Sequence, residues 1–168
     1  MNVGLCLSLY DILEVGESFL HPGDGSCHTS VRFRMLVFRP DAEEVIVGKI
    51  KSCSKEGVHV SLEFFDDILI PADSLQHPSR YDEVERVWIW EYPLEEGEHH
   101  DMFMDPGNQI RLRIVSESFT DHGPVRSAPN IDQEQGKEQE QRQASYSLKA
   151  SINEYGLGLL HWWDNNEG

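Results

Sequence analysis

The stretch EVIVGKIKSCSKEGVHVSLEFF, Glu44 to Phe65, decides how the rest of the chain is read. Two runs rich in β-branched residues flank Lys55-Glu56-Gly57, a short glycine-containing connection of the kind that closes a β-hairpin. Downstream, DDILIPADSL (Asp66 to Leu75) gives a short apolar strand stopped by Pro71, with Asp73 or Ser74 placed to cap one turn of helix. VWIWEY (Val87 to Tyr92) is a further aromatic strand. QIRLRIVSESF (Gln109 to Phe119) alternates strictly at Ile110, Leu112 and Ile114, the period of a strand with one buried face. Between Asp121 and Gln143 apolar residues all but vanish, and NIDQEQGKEQEQRQ has nothing to anchor a core, so residues 121–143 read as a disordered insertion. YSLKASI then supplies a closing strand.

Upstream, VGLCLSLYDI (Val3 to Ile12) is almost wholly apolar and reads as a strand whose neighbours are missing. After the turn-rich HPGDGS, the run HTSVRFRMLVFRP alternates apolar and basic residues and ends at Pro40. Many short strands, one tight hairpin and almost no helical periodicity predict an all-β chain built on a small antiparallel barrel of the OB type. The expected division is a remnant over 1–20, the barrel over 21–163 and a tail over 164–168.

Composition narrows the function. The 168 residues carry 14 Lys and Arg against 30 Asp and Glu, a formal charge of -16. Phosphates are repelled by such a surface, so any nucleic-acid contact has to be local. Cys6, Cys27 and Cys53 are odd in number and widely spaced, which suggests neither a disulfide framework nor a zinc knuckle. Apolar runs are strand-sized, too short for a membrane-spanning helix.

Catalytic and cofactor motifs are missing: there is no GxGxxG, GxxxxGK[ST], HExxH or GxSxG, and no cofactor is called for. His99, His100 and Asp101 with Cys27 or His28 are conceivable metal ligands, but adjacent histidines on a strand face opposite sides, and the pair reads as a solvated loop. Asp66-Asp67 and Glu95-Glu96 offer carboxylate pairs without any sign of desolvation, and read as surface charge.

Two surfaces stand out instead. Residues 28–60 hold six basic and four acidic side chains, reversing the chain's overall balance. On strands, Lys49 and Lys51 would share a face with His59, so Arg32, Arg34, Lys49, Lys51 and His59 are the candidate RNA-facing residues, against the plainer reading of an edge strand protected by lysines. Residues 81–105 hold nine acidic side chains and one basic, either a solvated loop or a field that steers a basic partner. Trp88 and Trp90 share a strand face with Tyr92, while the adjacent Trp162 and Trp163 cannot both be core. These four tryptophans are the candidate partner-facing residues.

The segments VGLCLSLYDI, HPGDGSCHTSVRFRMLVFRP, EEVIVGKIKSCSKEGVHVSLEFFDDILIPADSL, VWIWEY and GLGLLHWW together resemble the RNA polymerase III stalk subunit that carries an OB domain. GVHVSLEFFDDILIP resembles the ribosomal-type RNA-binding OB motif most closely, with His59 at the usually aromatic position. The resemblance implies a non-catalytic, nuclear polymerase subunit that works in the stalk beside a small helical partner and supports initiation of transfer RNA and 5S ribosomal RNA synthesis. It implies no membrane contact. That family's N-terminal tip domain extends further than Val3 would allow, so Val3 to Ile12 reads as its remnant. The rival is a free-standing single-stranded RNA-binding module, and behind it a small hydrolase using Asp66-Asp67 or His99-His100.

Overall fold

The computed structural model describes residues 3–20, 22–23, 25–94, 98–120 and 144–163. The expected insertion over 121–143 and tail over 164–168 lie outside these. Contacts divide the chain into two units, Met1–Pro40 and Asp41–Gly168.

The first unit is a hairpin of β1 (Leu5–Leu20) and β2 (Cys27–Phe38), paired antiparallel with several register shifts. Residues 27–38 were expected in the barrel, and the division at residue 40 rather than 20 follows from where they find a partner. Their alternation matches β1, which sets Asp11 opposite Arg34, Glu14 opposite Arg32 and Ile12 opposite Phe33. Opposite charges facing each other across an antiparallel pair favour this register.

The second unit opens with the predicted hairpin, β3 (Val45–Ser54) and β4 (Gly57–Ser61), followed by β5 (Ile68–Pro71). A three-stranded sheet comes next: β6 (Ser79–Asp82), β7 (Val87–Pro93) and β8 (His99–Met104), in that order. β9 (Gln109–Phe119), β10 (Tyr146–Ser151) and the short β11 (Gly158–Leu159) complete it. β3, β4, β5, β10 and β9 pair in a ring, since β10 meets both β5 and β9 while β9 returns to β3. This is a closed five-stranded OB-type barrel. One pair, β5 with β10, is parallel, a departure from the all-antiparallel expectation.

Inside the ring the alternation resolves as predicted: Ile110, Leu112 and Ile114 point inward onto Ile50, Val58, Val60, Ile68, Ile70 and Leu148, all buried. Closing so small a ring brings backbones into near contact. At Gly57, with φ +151°, a Cβ would fall 1.9 Å from the Ile70 carbonyl oxygen, so only glycine fits where β4 meets β5. After Pro71 a single 3-10 turn, Ala72–Ser74, takes Pro71 itself as its N-cap, with no side-chain cap from Asp73 or Ser74. The first free donor of the turn, Ala72 N–H, is met instead by the Glu56 carbonyl at 3.0 Å.

Candidate functional site

Gly57 seats the β3–β4 hairpin tightly on β5, and this places His59 where the barrel opens outward. His59 Nε2 lies 3.2 Å from Ser54 Oγ, and the ring borders a cleft of about 290 Å3 between β4, β5, β9 and β10. Asp66, Asp67 and Lys149 share that cleft. Lys49 and Lys51 are exposed as expected, but the register shifts between Ile50 and Ser52, so Ser52 rather than Lys51 stands opposite His59.

The shift turns Lys51 to Asp66, with Nζ to Oδ2 at 2.8 Å, and Ser61 Oγ donates to the same carboxylate's other oxygen. These hydrogen bonds, Lys51 first and Ser61 second, hold the Asp66 carboxyl below its ordinary value, and Asp66 raises that of Lys51. An acid kept ionised by its neighbours is unsuited to the role of general acid. Lys55 reaches Glu83 at 2.6 Å. Among the described residues Lys49 is left without a carboxylate partner.

Arg32 and Arg34 lie on the hairpin unit and not on this barrel face. Arg34 forms a two-pronged pair with Asp11, 2.8 Å at its Nε, and Arg32 reaches Glu14 at 3.5 Å. The candidate RNA-facing set is therefore split between two units, and most of its charge is met by carboxylates of the same unit.

The acidic stretch is largely a sheet rather than a loop, and His99 and His100 stand on β8. Alternation at Trp88, Trp90 and Tyr92 outweighs charge, because carboxylates are accommodated on exposed strand faces. Glu91, directly opposite Asp101, joins His99 to form a cluster whose ligand atoms lie within 4.8 Å of one another. Arg80 fills it: its guanidinium reaches Glu91 Oε1 at 2.9 Å and Asp101 Oδ2 at 2.7 Å, supplying the cation from within the chain. Cys27 and His28 belong to the other unit, and Glu95-Glu96 lie outside the described residues.

Trp88 and Trp90 are 8% and 6% exposed, so burial in this chain removes them from the candidate partner-facing set. Trp88 Nε1 donates to the Ser54 carbonyl at 2.9 Å, tying the three-stranded sheet to the barrel. Trp162 packs at a tilt of 47° against Trp90 with ring centroids 4.9 Å apart, over Gly158, where a Cβ would come within 2.5 Å of the indole. Trp163 donates to the Leu157 carbonyl at 3.0 Å and packs edge-on against Tyr155. Both remain half-exposed.

Comparison with known proteins places the chain in a family. The family profile of RNA polymerase III subunit Rpc25 matches residues 44–163. The chain belongs to the Rpc25 family. It is similar to DNA-directed RNA polymerase III subunit RPC8 of Bos taurus, 51% identical over 165 residues that cover 98% of this chain and 80% of the bovine protein. RPC8 of Saccharomyces cerevisiae is 38% identical over 176 residues, covering 97% of this chain and 81% of its own length. The Rpo7 subunit of an archaeal RNA polymerase, from Saccharolobus shibatae, is 25% identical over 119 residues, covering 71% of this chain and 62% of its own length.

Within this Rpc25-family chain, sequence reasoning missed the groove beside β8. It is about 320 Å3 in volume and is lined in part by His100, Phe103, Asp105 and Trp162. The charge count over 81–105 pointed to the region. The C-terminal turn that forms its far wall, Leu160–Trp162, had no signal beyond the two tryptophans.

Proposed function

We propose that the chain serves RNA polymerase III in the nucleus as a non-catalytic subunit of its stalk, supporting initiation of transfer RNA and 5S ribosomal RNA synthesis. The observation that carries this reading is a chain of the Rpc25 family folded as an OB-type barrel, preceded by a hairpin that leaves large apolar side chains in water. Ile12 and Phe33, directly opposite one another, are 55% and 50% exposed. A two-stranded hairpin is marginal alone, and apolar surface of this kind marks a protein interface. Other polymerase subunits, the small helical stalk partner among them, are the covering surface this reading assigns.

RNA contact is secondary and weak. Lys149 and His59 offer one charge and one ring at the β4–β5 cleft, against the carboxylates of Asp66 and Asp67. A free-standing RNA-binding module would need a more basic surface than this.

The test is recovery of polymerase from nuclear extract on the tagged full chain, with and without co-expression of the small stalk partner, read by mass spectrometry. Large polymerase III subunits should be recovered, and Phe33→Asp should remove them while leaving the barrel's tryptophan emission unchanged. Recovery of no polymerase subunit under either condition would overturn the reading.

A further inference from the structure

Four consecutive residues, His100 to Phe103, line the groove beside β8. Side chains alternate along a strand, so a run of four on one wall means that the groove follows the strand's open backbone edge. β8 is indeed an outer strand of its sheet, paired with β7 alone among the described residues. Its outward N–H and C=O groups, on alternate residues between His99 and Phe103, have no backbone partner among the described residues.

The opposite wall is Trp162, held by its tilted contact with Trp90 and by the space left at Gly158. Asp105 and Asn108, in the turn after β8, close one end, and no hydrogen bond or ion pair ties either side chain within the described residues. Phe103 is 40% exposed. The surrounding stretch, 81–105, has nine acidic residues and one basic.

We propose that this groove binds an extended, arginine-containing segment of a partner protein, added as a fourth strand along β8. Main-chain hydrogen bonds to the open edge supply affinity for an extended backbone. A guanidinium in the groove can lie on the Trp162 face while pairing with the Asp105 carboxylate. The negative field of the sheet selects a basic segment and repels nucleic acid, and it also disfavours a second copy of this chain docking edge to edge. This surface lies on the barrel unit and is independent of the hairpin face invoked for polymerase assembly.

The test is fluorescence anisotropy of the full chain with a labelled eight-residue peptide of alternating valine and arginine, at moderate salt. Saturable binding is expected, weakened about tenfold by replacing arginine with the isosteric, neutral citrulline. N-methylation of alternate peptide amides, which removes main-chain donors without touching the protein, should abolish it. Asp105→Asn should weaken binding about fivefold, whereas Glu63→Gln, on an exposed turn elsewhere, should leave it within twofold. Equal binding of the citrulline and N-methylated peptides, or equal losses from the two protein variants, would overturn the proposal by reducing it to diffuse charge attraction. So would a concentration-dependent dimer by sedimentation that the peptide fails to dissociate, because a second copy would then hold the edge.

Discussion

Replacing Gly57 by alanine isolates what closes the barrel. The new methyl would fall 1.9 Å from the Ile70 carbonyl oxygen and 2.9 Å from its carbon, whereas ordinary contact begins at 3.4 Å. β5 would have to retreat by most of the difference. It cannot do so freely, because β10 pairs with its other side and Ala72 N–H bonds the Glu56 carbonyl at 3.0 Å across the same joint. Overpacking of this kind costs about 1–3 kcal/mol, and holding alanine near φ +151° costs roughly another 1–2 kcal/mol. The expected loss is thus about 2–5 kcal/mol, or roughly 1–2.5 M in the urea midpoint at a slope of about 2 kcal/mol per molar. Tryptophan emission is the right probe, since all four tryptophans lie in the second unit and report on the barrel without the hairpin. Gly107→Ala is the control: its φ is +96° but nothing lies within 4 Å of the new methyl. It should lose only the dihedral part, about 1–2 kcal/mol. If Gly57→Ala loses no more than Gly107→Ala, close approach of β4 to β5 is not what demands glycine.

Cys53, partly buried and donating to the Met104 carbonyl, has its thiol pushed up chiefly by desolvation. Alkylation at pH 8 with peptide mapping should therefore label the exposed Cys6 and Cys27 first. The Asp66 carboxyl, held down by Lys51 and Ser61, should titrate by NMR below 3.8, and Lys51→Met should bring it upward. Because its folded value is lowered, whatever stability this carboxylate contributes is present above pH 4 and disappears as pH falls through the folded midpoint. Leu112→Ala, at a fully buried barrel position, should cost about 2–5 kcal/mol in the same urea assay.

The barrel was legible because its evidence is local. The hairpin at Lys55-Glu56-Gly57 and the alternation of Ile110, Leu112 and Ile114 each specify a strand with one buried face, and such strands must close on one another. What stayed hidden was pairing. The alternation of residues 28–39 fits any apolar neighbour, and nothing in its period says that β1 rather than the barrel receives it. The bulge at Lys51 is equally silent in sequence, yet it decides that Lys51 meets Asp66 instead of standing beside His59. The acidic stretch misled because charge density and strand formation are independent: Glu91 and Asp101 sit on a strand face and are balanced there by Arg80.

The placement of that sheet explains how an acidic chain keeps a usable barrel surface. Inserted between β5 and β9, it gathers most of its carboxylates onto strands and turns outside the barrel ring, and Trp88 fastens it at the end of β3. The outer positions of β3 and β10 retain Lys49 and Lys149 in water, so one unit presents exposed lysines on the barrel and a strongly acidic sheet. Fields at physiological salt decay within about 8 Å, so charges farther apart than this act on different partners. A lysine substitution at Glu98, beyond the far end of β8, should consequently alter capture of basic segments along β8 and leave any RNA affinity of the barrel cleft unchanged. Lys149→Glu, in the cleft itself, should do the reverse. A chain in which either change moved both affinities together would have one continuous field, and the division of labour between sheet and barrel would not hold.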